Sequence, residues 1–279
     1  MSNLYIITTN WGTHKMTENF AKSLLLLDGI ENIKIVVVNN SPDENKYFAN
    51  WKFGEKVKVI NSGENLGYAG GLNKGLDYAL KDRNMKYVLI TNNDIKFERT
   101  LIKKFLRKDS KDTILAPIIL KRDSQIVQNT GGKISMFLGG TINVNKDVPL
   151  PELKIKKYDF LSGCMMFIPR NILEDVGLFD AEYIAYYEDA DYCLRAKDLG
   201  YKLKICEDIT IRHFHSASTS KNIGFKRYLL ARNSIIFAKK NYKFPKSMIF
   251  IIMSIVRGFI QNLKYLDYYF KGVKEGLLC

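Results

Sequence analysis

The chain of 279 residues predicts an α/β fold, in which a doubly wound, mostly parallel sheet is flanked by helices and followed by a C-terminal helical extension. Short apolar runs alternate with helical segments through the N-terminal part, and each run ends in a polar loop. The run Val88–Ile90 is the clearest, because a fully apolar strand is typical of a parallel sheet covered on both faces. The 46% content of hydrophobic residues agrees with a sizeable globular core.

The predicted elements follow in order. Strands are expected at 4–7, 33–38, 57–60 and 87–91, with helices at 15–28 and 69–80. Beyond Asp94 we expect a helix at 99–108, a strand at 114–119, loops and hairpins at 124–157, a strand at 160–169 and a helix at 170–176. The segment Asn92-Asn93-Asp94 lies at a strand end, where open α/β sheets bind ligands, although these residues are also favoured in turns and helix caps.

The cysteines and the N-terminal segment indicate the cellular compartment. The four cysteines are scattered without a CxxC pair, which argues against a disulfide framework or a zinc site and fits a reducing compartment. The segment MSNLYIITTN enters a strand-like run without a basic region or cleavage site. We therefore expect a cytoplasmic protein.

A glycine-rich segment follows the third predicted strand. Residues 65–75 contain Gly67, Gly70, Gly71 and Gly75 between a strand and a helix. Such a loop can bring backbone N–H groups close to a phosphate, but the spacing matches neither the Rossmann fingerprint nor a P-loop. Close packing of the helix on the sheet is an equally good explanation.

Acidic and imidazole side chains cluster later in the chain. If residues 183–201 are helical, Asp191 can pair with Arg195 at i+4, and Asp189 is turned away from that pair. Asp189 can then act as a general base on a hydroxyl, whereas Glu188 and Asp191 fit a stabilising role at the helix N-terminus. His213 and His215 lie on one side of a predicted strand, where one of them can join Asp94 as a metal ligand.

Taken together, these motifs resemble those of the inverting family 2 glycosyltransferases of the GT-A fold, particularly the bacterial rhamnosyltransferase-like branch. The resemblance covers roughly residues 4–240. The matching segments are ITTN, VVVNNS, NLGYAGGLNKG, ITNND, LSGCMMFIPRNILEDVGLFD, YYEDADYCLRAKDLGY, HFHSAS and the ARN of residues 231–233.

The resemblance implies a role for each matching position. Thr8, Asn10 and Asn39 fall where such enzymes hold the nucleotide, although Asn39 replaces a usual aspartate. Gly67, Gly70 and Gly71 fall in the donor-binding loop, and Asn92 and Asn93 precede Asp94, which matches the acid that binds Mn²⁺ or Mg²⁺ across the donor diphosphate. His213 matches a histidine near that metal, with His215 as second choice. Asp189 matches the catalytic base, and Gly163 and Glu188 fall on the acceptor side.

The expected organisation is a catalytic domain at 1–240, with a nucleotide-sugar half at about 1–97 and an acceptor half at about 98–240, and a basic amphipathic tail at 241–279. The resemblance implies transfer of a sugar from a nucleotide-diphosphate donor, such as dTDP-rhamnose or a UDP-hexose, to a hydroxyl of a glycan or lipid-linked acceptor in bacterial cell-surface polysaccharide synthesis. A nucleotidyltransferase of related fold remains an alternative.

The basic charge is concentrated in the tail. The chain carries a net charge of +14, and residues 219–279 contain twelve Lys or Arg against two acids. The apolar run 248–256 is too short to span a bilayer, so an amphipathic helix lying on the anionic inner face of the plasma membrane is expected. Packing on the catalytic domain or on a second subunit in a homodimer is the alternative. A basic tail also fits a nucleic-acid-binding protein, but no nucleic-acid motif is present, so no such partner is expected.

Overall fold

The computed structural model describes residues 3–108, 110–155, 157–214 and 223–279. In these ranges the strands are β1 (Leu4–Asn10), β2 (Ile33–Asn39), β3 (Val57–Asn61), β4 (Tyr87–Thr91), β5 (Ile95–Lys96), β6 (Thr113–Lys121), β7 (Val127–Asn129), β8 (Gly132–Ser135), β9 (Gly140–Asn143), β10 (Met165–Pro169) and β11 (Lys202–His213). The α-helices are α1 (His14–Leu24), α2 (Asn45–Phe48), α3 (Gly67–Leu80), α4 (Leu101–Leu106), α5 (Arg170–Val176), α6 (Glu188–Asp198), α7 (Ile223–Asn241), α8 (Lys246–Gln261) and α9 (Leu266–Leu278).

One mixed sheet organises the molecule, with strand order β3-β2-β1-β4-β10-β6-β11-β5 and β7 paired to β6. The pairs within β3-β2-β1-β4 are parallel, as is β6 with β11, whereas β10 runs antiparallel to both β4 and β6. The predicted fold class is therefore confirmed. The predicted hairpins at 124–157 include β8 and β9, which form a separate two-stranded sheet.

Apolar side chains cover both faces of the sheet. Ile7, Val38 and Ile90 pack with Leu72 and Leu76 of α3 on one face. On the other face, Ile6 and Leu89 are among the residues packed with α1 and α4. Burial on both faces explains why these strands are nearly continuous apolar runs in the sequence.

The parallel strands end along one edge of the sheet, and this brings the polar segments together. Asn10 at the end of β1 pairs in register with Asn39 at the end of β2, and β4 ends beside β1. From the other half of the sheet, β11 is antiparallel to β5, and the Phe214 N–H donates to the Asp94 carbonyl at 2.8 Å. This pairing brings the end of β11 to the segment that follows β4.

The C-terminal tail differs from the single amphipathic helix that the sequence predicts. It bends by 90° between α8 and residues 263–278. Within α8, the Ser254 hydroxyl hydrogen-bonds the Ser234 hydroxyl of α7 at 2.7 Å, while Phe259 and Ile260 are exposed.

Helix α9 packs closely on α7. A Cβ at Gly272 would lie 2.3 Å from the Tyr228 carbonyl oxygen, and one at Gly276 would lie 2.7 Å from the Arg232 carbonyl oxygen. Two glycines spaced by four residues thus let the helix backbones approach. Among the described residues no single helix is long and apolar enough to cross a bilayer; α8 with residues 263–278 meets that criterion only as a bent pair.

Candidate active site

Asp94 and His213 meet at the carboxyl edge of the sheet. The Asp94 Oδ1 lies 3.0 Å from the His213 Nε2, and the Asp94 side chain is buried. Pairing of β11 with β5 fixes this approach between residues far apart in the sequence. The structure therefore brings together two of the expected metal ligands, whereas His215 lies outside the described residues.

These two side chains fit a divalent cation as a partial ligand set. A carboxylate oxygen and an imidazole nitrogen suit Mn²⁺, and the carboxylate suits Mg²⁺. Within the described ranges no group of three or more His, Cys, Asp or Glu side chains can hold a metal ion. A cation here would complete its coordination with water or with oxygens of a bound ligand.

Gln128 of β7 lies on the opposite side of the imidazole. Its Nε2 is 2.7 Å from the His213 Nδ1, and its buried Oε1 accepts no hydrogen bond from any described residue. Turning the amide by 180° exchanges the two atoms, so that Oε1 can accept a hydrogen bond from Nδ1–H. Gln128 could not be predicted from the sequence, because nothing in its local sequence signals a contact with His213.

The two asparagines before Asp94 face in different directions. The Asn92 Nδ2 lies 3.4 Å from the His213 Nε2. The Asn93 Nδ2 instead donates to the hydroxyls of Thr17 at 2.7 Å and Thr13 at 3.1 Å. Asn92 therefore borders the Asp94–His213 pair, while Asn93 ties the end of β4 to α1.

Asp189 is held in the first turn of α6 by backbone donors. The Gly163 N–H donates to Oδ2 at 2.9 Å and the Ala190 N–H to Oδ1 at 2.8 Å. Burial raises the pKa of Asp189, and the N–H donors oppose that rise. A Cβ at Gly163 would lie 3.2 Å from the Asp189 Cβ, so a larger residue would crowd the carboxylate. Gly163 thus positions Asp189.

Glu188 is buried beside Asp189. Its Oε2 has no hydrogen-bond partner among the described residues. Burial and the Asp189 charge raise the pKa of Glu188 to about 8, so its carboxyl is mainly neutral at pH 7. The expected stabilising role suits Asp191 better, because Asp191 forms the predicted i,i+4 pair with Arg195 at 2.8 Å.

Tyr68 lies beside the segment that holds Asp189. Its hydroxyl donates to the Gly163 carbonyl at 2.6 Å. Burial raises the pKa of Tyr68 well above its usual value, and the charges of Glu188, Asp189 and Asp94 raise it further. The Asn92 N–H donates to the Cys164 carbonyl at 3.0 Å, so the segment that positions Asp189 is hydrogen-bonded to the end of β4 beside Asp94.

The segment before α6 is a strained loop and not the start of a helix. Ile184, Tyr186 and Tyr187 have φ values of 62°, 69° and 75°, which non-glycine residues rarely adopt. The Asn233 Nδ2 of α7 lies within hydrogen-bonding distance of the Tyr183, Ala185 and Tyr186 carbonyls, at 2.7, 2.8 and 2.8 Å. The ARN motif at 231–233 was the only sequence signal for this contact.

The glycine loop supports the packing explanation. The N–H groups of Tyr68 and Ala69, at the N-terminus of α3, donate to the Ile184 carbonyl at 2.6 and 3.3 Å. Gly67 has a φ of +71°, and its Cβ would lie 2.6 Å from the same carbonyl oxygen. Cβ atoms at Gly70 and Gly71 would lie 2.9 Å from the Leu66 Cβ and 2.6 Å from the Asn40 Nδ2. These N–H groups are therefore already engaged within the protein.

The three expected nucleotide contacts are fully buried. Thr8, Asn10 and Asn39 expose none of their surface. The Asn10 Nδ2 donates to the Asn39 Oδ1 at 2.8 Å and to the Glu44 Oε2 at 2.7 Å. The amides of Asn10 and Asn39 therefore brace the loop behind the strand ends. Trp11, which is not among the predicted site residues, directly follows β1 and is 50% exposed.

The family comparison identifies the class. The family model described as Glycosyl transferase family 2 matches residues 5–177. The chain therefore belongs to glycosyl transferase family 2, and it is a glycosyltransferase that uses nucleotide-sugar donors.

Two curated relatives agree with this assignment. The low-salt glycan biosynthesis hexosyltransferase Agl10 of Haloferax volcanii is 25% identical over 290 residues, covering 99% of this chain and 92% of the relative. The dTDP-rhamnosyl transferase RfbF of Shigella flexneri is 25% identical over 198 residues, covering 67% of this chain and 65% of the relative.

Solved structures share the fold. The mannosyltransferase PcManGT from Pyrobaculum calidifontis, in complex with GDP-Man and Mn²⁺, gives a TM-score of 0.60 at 14% identity, covering 99% of this chain and 75% of that chain. S. aureus TarS in complex with UDP-GlcNAc gives 0.59 at 14% identity, covering 99% and 81%. These likenesses support the GT-A fold.

Proposed function

We propose that this chain is an inverting, cation-dependent glycosyltransferase that moves a sugar from a nucleotide diphosphate to an acceptor hydroxyl. The observation that carries the proposal is the contact of the Gly163–Cys164 segment with both sides of the site. Gly163 holds the Asp189 carboxylate through its N–H, and the Cys164 carbonyl accepts from Asn92, which borders the Asp94–His213 pair. One group can accept a proton while the other side of the site binds the leaving diphosphate.

Asp189 is the proposed catalytic base. The acceptor oxygen attacks the anomeric carbon opposite the diphosphate, and the Asp189 carboxylate takes the hydroxyl proton. The bond from that carbon to the phosphate oxygen breaks, and its electron pair leaves with the nucleoside diphosphate. Its raised pKa makes Asp189 a stronger proton acceptor than an exposed aspartate.

Asp94 and His213 are the proposed cation ligands. A bound Mn²⁺ or Mg²⁺ would offset the negative charge that the departing diphosphate gains. His213 must present an unprotonated Nε2 to serve as a ligand, and its proton then resides on Nδ1. Gln128 supports this tautomer, since its amide oxygen can accept a hydrogen bond from that Nδ1–H group.

The donor is proposed to be dTDP-rhamnose or a UDP-hexose. RfbF is described as a dTDP-rhamnosyl transferase and Agl10 as a hexosyltransferase, and both support this range. Trp11 offers an exposed ring on which a nucleobase can stack. The donor loop at Gly67–Gly71 and the strand ends at Thr8, Asn10 and Asn39 would shape the donor pocket from behind.

The acceptor is proposed to be a glycan or lipid-linked hydroxyl used in bacterial cell-surface polysaccharide synthesis. Glu188 and Gly163 lie beside Asp189 and would border the bound acceptor. We also propose that residues 1–240 form the catalytic domain, and that the basic tail holds the protein at the inner face of the plasma membrane. A homodimer through the tail is the alternative arrangement.

A donor panel tests the proposal. Purified protein is incubated with dTDP-rhamnose and several UDP-hexoses, with Mn²⁺, with Mg²⁺ and with a chelator, and the products are separated. We expect slow cation-dependent release of a nucleoside diphosphate from one donor. Release of pyrophosphate instead would indicate a nucleotidyltransferase, and equal release with the chelator would contradict the cation role.

A further inference from the structure

Helix α8 and its flanks leave a row of apolar side chains uncovered in the described part of the chain. The side chains of this row are 44–80% exposed, and they are Phe244, Met248, Ile249, Ile252, Val256, Phe259, Ile260 and Leu263. Their spacing of three and four residues keeps those within α8 on one face of the helix. The opposite face, which includes Phe250 and Ile251, is buried against the protein. We call this set the α8 row.

The surroundings of the α8 row are basic. Lys243 directly precedes the row, Lys246 is the first residue of α8, and Arg257 and Lys264 lie near the end of the row. No acid occurs between residues 241 and 266. An exposed apolar face on a segment that carries cations and no acid complements an anionic lipid surface. A second copy of this row would bring like charges together across a two-fold axis, which disfavours a homodimer at this face.

The turn between β8 and β9 extends the same surface. The backbone of this turn lies directly on α8, because a Cβ at Gly139 would be 2.0 Å from the Ser254 nitrogen and 2.6 Å from the Met253 carbonyl carbon. Met253 has Ile249 and Val256 of the α8 row as its neighbours on the helix surface. Phe137, two residues before Gly139, is 81% exposed.

The hairpin also connects α8 with the proposed base. A Cβ at Gly140 would lie 3.0 Å from the Arg257 Nη1 and 3.1 Å from the Tyr187 hydroxyl. Tyr187 is followed directly by Glu188 and Asp189. The hairpin thus spans the distance from the exposed row to the acid pair.

We infer that the α8 row and the Phe137–Leu138 turn together form a docking surface for an anionic bilayer. Resting on the proposed function, this surface brings Asp189 to the membrane interface, so that the acceptor is the hydroxyl of a lipid-borne sugar or lipid head group. The apolar residues enter the acyl boundary and the cations remain among the head groups.

Vesicle flotation tests the inference. The full chain is mixed with phosphatidylcholine vesicles, with and without phosphatidylglycerol, and the Ile252→Glu/Val256→Glu double variant is compared with Leu26→Glu/Leu199→Glu. The control pair replaces leucines that are 60% and 56% exposed outside the tail. We expect the wild type to float with anionic vesicles and the double variant to bind at least about 100-fold more weakly, since it replaces two apolar side chains of the α8 row with charged ones.

Three outcomes would overturn the inference. The first is a wild type that does not float with anionic vesicles, and the second is a double variant that binds like the wild type. The third is light scattering that shows a wild-type dimer and a monomeric double variant, which would assign the row to a second copy. Hydrolysis of the nucleotide sugar in solution should be unchanged in the double variant, and this separates the inference from the proposed function.

Discussion

At the scale of single residues, the two adjacent carboxyls of Glu188 and Asp189 have different chemistry because their surroundings differ. Asp189 accepts two backbone N–H groups, whereas the Glu188 Oε2 has no partner among the described residues. The Glu188 carboxyl is therefore the one that stays protonated near neutral pH. A neutral neighbour leaves Asp189 as the single charge at the base position.

This pair predicts how the free energy of unfolding depends on pH. The pKa of Glu188 is about 8 in the folded protein and near 4.5 when unfolded. Between these values the folded state holds a proton that the unfolded state releases, so stability falls as pH rises, by up to roughly 1.4 kcal/mol per pH unit. The free energy of unfolding, measured with urea across this pH range, should depend less on pH for Glu188→Gln than for the wild type. Glu55→Gln, at an exposed position, is the control and should behave like the wild type. Parallel slopes would contradict the assignment.

A second prediction concerns the partner of His213. Gln128→Leu should weaken Mn²⁺ binding in the presence of UDP by about 10- to 100-fold, because a metal-ligating histidine needs an acceptor for its other N–H. Gln128→Glu keeps an acceptor and should bind nearly normally. Electron paramagnetic resonance measures free Mn²⁺, and ¹⁵N spectra report the tautomer, since the chain has only three histidines. Unchanged affinity and tautomer in Gln128→Leu would exclude the role, and Gln125→Leu is the matched control.

Site residues could be predicted from the sequence where they belong to a recognisable motif. Asp94 and His213 were singled out from their places at strand ends, and the structure brings them within 3.0 Å. The burial of Asn10 and Asn39 was not predictable, because it depends on Glu44 from the loop after β2. Contacts of this kind join distant residues, and local patterns do not encode them.

At the scale of elements, α7 holds the loop that presents the acids. Asn233 lies within hydrogen-bonding distance of three carbonyls of the strained segment, and the Arg232 Nη1 donates to the Glu182 carbonyl at 2.8 Å. Positive φ values persist only where such contacts hold them. The loop therefore depends on a helix that comes much later in the chain.

Asn233→Asp should misplace this loop without unfolding the protein. The change removes the amide donor, and a small displacement of a catalytic group can lower kcat by about 100-fold. The affinity for nucleotide sugar should stay unchanged, and amide exchange should speed up within residues 183–187. Asn262→Asp is a matched control, since its buried amide donates to the Gly258 carbonyl far along the tail. A lower melting temperature with normal kcat would show a purely structural role.

The type of an element could be predicted from its hydrophobic pattern where the element packs into the core around the sheet. The apolar runs of β1, β2 and β4 were found because both sides of these strands are covered. The helix considered for residues 183–201 begins only at Glu188, because the sequence carries no signal for positive φ at Ile184 and two tyrosines. The bend in the tail could not be predicted, because the residues around Asn262 where the helix breaks include neither glycine nor proline.

At the scale of the whole molecule, the tail is linked to the candidate active site through α7. The Arg232 Nε donates to the Glu275 Oε1 of α9 at 2.8 Å, and the same guanidinium reaches the Glu182 carbonyl. The β8–β9 hairpin makes the second link, from α8 to Tyr187. The tail that would dock on a membrane is therefore in direct contact with the elements that position Glu188 and Asp189.

Single-turnover kinetics of Asp189→Asn tests the central claim most directly. The nucleotide sugar identified by the donor panel is used with a glycan or lipid-linked acceptor, and Asp198→Asn, at the exposed end of the same helix, serves as control. We expect sugar transfer to fall by about 10²- to 10⁴-fold with unchanged donor affinity, because a positioned base contributes this much. Transfer by Asp189→Asn at the rate of the control would contradict the account.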